Sequence, residues 1–154
     1  MNPAETMQAL NRALTDVSRE IKQRRQRIAT FGHDLSQLNQ PEGAGGGVGR
    51  DPRVFELERK VKAHATDLSD LTVLCEMEHE LNGMLGGDAI HTQAIVDNAS
   101  FYMMTLLRQL ICATQEQDAP KAHGFGIAVV LLARHVGIDA PHGVAALLGV
   151  AARI

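Results

Sequence analysis

The sequence predicts an all-α protein: a long antiparallel coiled-coil hairpin over residues 1–85, followed by a small C-terminal helical bundle over 88–154. Three observations carry that expectation. Heptad repeats run through both halves of the first 85 residues, and a glycine-rich stretch at 40–51 separates them. Composition agrees, with 45% hydrophobic residues but only 3% aromatic ones and no Trp. Cores built from Leu, Ile, Val, Met and Ala suit helix packing better than sheet packing.

In the first helix Met7, Leu10, Leu14, Val17, Ile21, Arg24, Ile28, Phe31, Leu35 and Leu38 follow one another in alternating steps of three and four. That alternation draws one seam along a helix of about 50 Å, the seam a second helix packs against. Arg24 is its one polar member. An arginine there is read either as a snorkelling side chain with its guanidinium near Asp67 or Asp70, or as a polar specifier of register and partner. As a specifier, Arg24→Leu would raise stability and loosen partner choice.

The stretch at 40–51 is too rich in glycine to be helical and reads as a flexible turn. It lacks the Lys-Ser/Thr of a phosphate-binding loop and does not match G-x-G-x-x-G. Asp51-Pro52 then restarts a helix as cap and first residue. Its heptad is Val54, Leu57, Val61, His64, Leu68, Leu71 and Cys75. Beyond Cys75 the register slips, and Leu74, Met77, Leu81 and Met84 define a broader apolar face, which calls for more than one neighbour. Gly86-Gly87 ends the helix.

A third helix is expected from Asp88, as cap, to Gln117, burying Ile90, Ala94, Ile95, Ala99, Tyr102, Met103, Leu106, Leu110 and Ile111. Asp118-Ala119-Pro120 and Asp139-Ala140-Pro141 each open a shorter helix. The bundle is expected to pack at the open end of the hairpin, where the second helix widens its apolar face.

Charge sets the hairpin orientation. Folding the chain with Ile28 opposite His64, Phe31 opposite Val61 and Arg24 opposite Leu68 brings Arg27 to Asp67 and Asp34 to Lys60. It also lays the basic block Arg19, Lys22, Arg24, Arg25 and Arg27 along Asp67, Asp70, Glu76, Glu78 and Glu80. Exposed pairs are worth a few tenths of a kcal/mol, roughly, so they choose orientation rather than supply stability.

Little in the sequence speaks for chemistry, and no catalytic, cofactor-binding or metal-binding residue is assigned. Glu76-x-x-His79 matches half of a helical di-iron motif, Cys75 and His79 share a helix face, and Asp88-x-x-His91 is a near match. No helix supplies the bridging glutamates, so these residues are read as a solvated face. Cys112, between Ile111 and Ala113, is read as a buried, inert thiol. No G-x-S-x-G elbow is present. His123 and His142 follow the Ala-Pro starts and take ordinary helix-terminal roles. The run from Lys22 to Arg27 is basic, yet a net charge of −3 and the lack of stacking aromatics make nucleic acid a disfavoured partner.

Two lone cysteines point to a reducing, cytoplasmic setting, and the polar start of the chain to no secretory leader. The apolar stretches at 124–138 and 144–154 fall short of the roughly 18–20 residues of a spanning helix.

The function expected is a non-enzymatic adaptor or structural subunit of a larger helical assembly, with other helical subunits or its own copies as partners. Val129, Leu132, Val136, Val144, Leu147 and Leu148 are the candidate partner surface. Alternatives are a membrane-surface protein using 124–154 as interfacial helices, and a small helical chaperone or inhibitor module.

Overall fold

In the computed structural model, which describes residues 1–38 and 52–136, the chain forms four helices packed against one another. They are α1 (Pro3–Leu38), α2 (Pro52–Gly86), α3 (Gln93–Gln115) and α4 (Ala119–Ala133), with a 3-10 turn at Asp88–His91 between α2 and α3. Among the described residues there is no strand.

The helix ends follow local chemistry. Asn2 and Glu5 cap α1 reciprocally: the Glu5 N–H donates to Asn2 Oδ1 at 2.8 Å and the Asn2 N–H to Glu5 Oε2 at 3.0 Å. Two otherwise orphaned donors are thereby satisfied, and Pro3 sits where a missing N–H costs nothing. The cap of α3 differs from expectation. Asp88 opens the 3-10 turn instead, and Thr92 caps α3 by accepting from the Ala94 N–H while its hydroxyl donates to the Ala89 carbonyl.

The link from α3 to α4 is compact. Gln117 adopts φ 57°, and the N–H groups of Gln117 and Asp118 donate to the carbonyls of Thr114 and Ala113. This is the paired closure of a Schellman motif, with Gln where Gly is usual. Asp118 then caps α4 by accepting from the Lys121 N–H at 3.1 Å. A side chain in the left-handed region costs about 1 kcal/mol. Gln117→Gly is therefore expected to stabilise the protein by up to about 1 kcal/mol in urea denaturation; an unchanged or lowered midpoint would contradict the strain at this turn.

α1 and α2 run antiparallel, as the cross-links Ser18 to Glu78, Arg24 to Asp70 and Arg27 to Asp67 require. α4 lies against α2 and α3, α3 leans on α1, and α2 and α3 scarcely meet. The core draws Leu10, Val17 and Ile21 from α1 and Leu74, Met77 and Leu81 from α2. To these α3 adds Ile95, Leu106 and Leu107, and α4 adds Val129 and Leu132. α4 comes close to α2 at Gly124, where an added Cβ would stand 3.1 Å from Val73 Cγ2 and 3.4 Å from the Ser69 carbonyl oxygen. Beyond the bundle no residue between 25 and 37 or between 52 and 69 is buried. Among the described residues the hairpin therefore has a packed half inside the bundle and an arm whose residues are at most half-buried.

The broader apolar face of α2 is where the bundle docks. Leu74, Met77 and Leu81 are fully buried, and Met84 packs partly against the core.

Candidate functional site

Three features stand out from this framework: a buried ion cluster where the arm leaves the bundle, an apolar stripe along the arm, and a groove between α2 and α3.

The cluster centres on Asp70 of α2, which is 1% exposed. Arg24, 6% exposed, donates from Nε to Asp70 Oδ2 at 3.2 Å. His123 Nδ1 of α4 lies 2.8 Å from Asp70 Oδ1, and the Arg24 guanidinium also pairs with Glu20 one turn back. Three helices thus meet on one carboxylate. The Arg24 guanidinium meets Asp70, one of the two carboxylates expected beside it, but the pair is buried rather than snorkelling out to solvent. His123 likewise does more than end a helix, since it ties α4 to α2. The expected gain from Arg24→Leu is reversed for the same reason: that change would strand a buried carboxylate.

A second polar junction joins α4 to α1. His135 Nε2 stands 2.6 Å from Asp16 Oδ2, with Arg134 and Arg19 also beside this carboxylate. The His135 hydrogen bond draws the Asp16 carboxyl below its ordinary value, against the opposing effect of burial, and the neighbouring cations add to the lowering.

Along the arm the register departs from the heptad of the sequence. On α1, Leu10, Val17, Ile21 and Arg24 are buried, and Met7, Leu14, Ile28, Phe31 and Leu35 are partly buried. Leu38 lies in α1, but its side chain is outside the described residues. On α2, Leu57, His64 and Leu71 are half-buried as seam positions should be. Val54, Val61 and Leu68 are not in the seam: they are 50%, 48% and 45% exposed. The half-buried face instead runs through Leu57, Lys60, His64, Asp67 and Leu71.

Charge pairing accounts for the turn of α2. Arg27 holds Asp67 by two bonds of 3.0 and 2.7 Å, which lifts the Arg27 guanidinium above its ordinary value. One turn further in, Arg24 holds Asp70. Both carboxylates must face α1, so α2 is rotated and Val61 and Leu68 swing outward. Consistent with that rotation, Phe31 rather than Ile28 stacks on His64, with ring centroids 3.8 Å apart. Asp34 and Lys60 form no ion pair among the described residues, although both are half-buried.

The C-terminal candidate surface also needs correction. Val129, Leu132 and Val136 are buried in the core, because α4 is apolar almost all round and is covered by α2 and α3. Val144, Leu147 and Leu148 lie outside the described residues, as does the helix start at Asp139-Ala140-Pro141.

The groove between α2 and α3 has a volume of about 810 Å³. Val73 and Met84 of α2, Phe101, Tyr102 and Leu106 of α3, and Phe125 of α4 supply its apolar lining. Its charged lining residues are Glu76 and Glu80, one turn apart on α2, and His79 stands between them. Half-burial pushes the Tyr102 phenol above its ordinary 10.0, and the Glu80 and Glu76 carboxylates push it the same way. Tyr102 was expected in the core; its residue faces the groove because α2 and α3 are splayed here.

Glu76 and His79 are exposed on the groove wall, and among the described residues no three His, Cys, Asp or Glu side chains converge to hold a metal ion. Cys112 is exposed rather than buried. The buried stripe of α3 passes through Leu106, Leu110 and Ala113 and leaves position 112 outside. Cys75 is half-buried, with Arg25 Nη2 4.0 Å from its sulfur. No helix among the described residues is long and apolar enough to cross a membrane.

The fold and these surfaces define a small all-helical protein with a bundle and a protruding two-helix arm. Compared with protein-family models, with curated proteins and with solved structures, the chain matches none.

Proposed function

We propose that the chain is a non-enzymatic adaptor or structural subunit that joins a larger helical assembly through its hairpin arm, in a reducing, cytoplasmic setting. One observation carries the reading. Val54, Val61 and Leu68 repeat every seven residues and stand about half exposed along the outer face of α2. Side chains at that spacing form a nearly straight apolar line, the complement of a partner helix's seam. Exposed apolar residues scattered singly need no explanation, but a line in register on a two-helix arm does.

The rest of the molecule fits this use. The bundle buries its own core, so it anchors the arm without taking up the stripe. The basic residues Lys22 and Arg25 stay exposed on α1 and supply polar contacts at the rim of such an interface.

The triple variant Val54→Gln/Val61→Gln/Leu68→Gln tests it. Each site is about half exposed and each change should cost under about 1 kcal/mol, so the variant should stay folded with its helicity unchanged. The parent chain is expected to self-associate in light scattering at high micromolar concentration, with the stripe standing in for its natural partner, and the variant to run as a monomer. A parent that stays monomeric, or a variant that associates equally well, would remove the stripe as the interface.

A further inference from the structure

We infer that the groove between α2 and α3 is a second docking site, distinct from the arm, and that it receives a cationic amphipathic helix from a partner protein. Its lining is mainly apolar, with Asn98, Thr105 and Gln109 as uncharged polar residues on α3, and Phe101 at its edge is 75% exposed, a large ring held in water. Glu76 and Glu80 lie one turn apart on the α2 wall, and among the described residues no Lys or Arg lines the groove. Neither glutamate has a hydrogen bond or ion pair among the described residues. Tyr102 likewise makes no hydrogen bond among them, so its hydroxyl is available beside the two carboxylates.

An apolar trough with a one-sided acidic rim fits a helix carrying apolar residues on one face and Lys or Arg beside them. The stretch of α2 from Val73 to Met84 is about 16 Å long, enough to accept three turns of helix. Charge on the rim selects the sign of the partner and speeds its encounter, while Phe101, Tyr102 and Phe125 provide aromatic anchoring. An acidic helix would face uncompensated repulsion from Glu76 and Glu80.

The chain contains one Tyr and no Trp, so its intrinsic emission reports on this groove alone. The probe is a synthetic 18-residue Leu/Lys amphipathic helix free of Tyr and Trp, titrated into the full chain. Expected is a saturable one-to-one change in Tyr102 emission, absent with a Leu/Glu peptide of equal length. Glu76→Gln/Glu80→Gln should weaken binding about five- to tenfold, the sum of two rim charges. Phe101→Ala, which disturbs no buried side chain, should weaken it at least as much. The charge-matched control Glu56→Gln/Glu58→Gln on the arm, and the arm triple variant, should bind as the parent does, which separates this site from the stripe.

An unchanged emission, or equal weakening by the arm control, would overturn the inference. So would emission that changes with protein concentration alone, which marks a second copy as occupant. With p-benzoylphenylalanine in place of Phe101, photocrosslinks to the Leu/Lys peptide support the site. Crosslinks to residues 137–154 of the same chain would identify an internal occupant and refute it.

Discussion

Arg24→Leu is expected to destabilise the protein by about 3–5 kcal/mol, because Asp70 stays behind as a buried carboxylate without its guanidinium. Asp70 is 1% exposed. His123 remains beside Oδ1 and softens the loss without replacing the two-sided grip. For a chain of this size the loss corresponds to a fall in melting temperature on the order of 10 °C.

The double variant Arg24→Leu/Asp70→Leu separates a lost attraction from a stranded charge. It removes both partners and fills the space with apolar volume, so its stability should return to within about 1 kcal/mol of the parent, or exceed it. Thermal and urea denaturation of the two variants decide the matter. A single variant as stable as the parent would show that Asp70 finds solvent, and a double variant as weak as the single would show that packing, not charge, is at stake.

Leu74→Ala is the second large expectation, at about 2–5 kcal/mol. Leu74 is fully buried where α2 enters the bundle, so its removal leaves a cavity in a close-packed region. Leu68→Ala, less than two turns away, should cost under about 1 kcal/mol, since Leu68 is 45% exposed. The sequence sets Leu68 in the seam and Leu74 on the broader apolar face, so it expects both to be buried and ranks them alike. Urea midpoints of the two variants discriminate: similar losses, or a larger one at Leu68, would mean that α2 faces α1 with the other side.

That contrast shows how far the sequence could be read. The helices and their order follow from Pro, Gly and Asp punctuation at Pro3, Pro52, Gly86 and Asp118, and the all-α class from the heptads. The α1 seam is legible because one apolar repeat dominates its helix. On α2 two faces compete, Val54-Val61-Leu68 and Lys60-Asp67-Leu74, and both share Leu57, His64 and Leu71. Hydrophobicity alone favours the first. The second wins because Asp67 and Asp70 must meet Arg27 and Arg24.

A signal for the cluster was present. The register that joins Arg27 to Asp67 steps by three residues on each helix and joins Arg24 to Asp70. An arginine in a seam needs a buried counter-charge, and Asp70, one of the two carboxylates the sequence sets near its guanidinium, is at the required position. The part played by His123 could not be read from sequence, because it depends on how closely α4 approaches α2 at Gly124. The groove depends in the same way on the splay of α2 from α3, which no periodicity encodes.

The division of the hairpin into a packed half and a bare arm also governs how the molecule breathes. Amides around Leu10–Ile21 are expected to open only with the whole bundle, whereas those beyond Arg25 and before Asp70 should open by local fraying of two helices whose facing side chains are only half-buried. A single unbroken helix therefore joins slowly and rapidly exchanging segments. A partner that clasps the arm would slow exchange where it is fastest and leave the core untouched, so the energy of such an association would reside in a different part of the same two helices from the energy of folding.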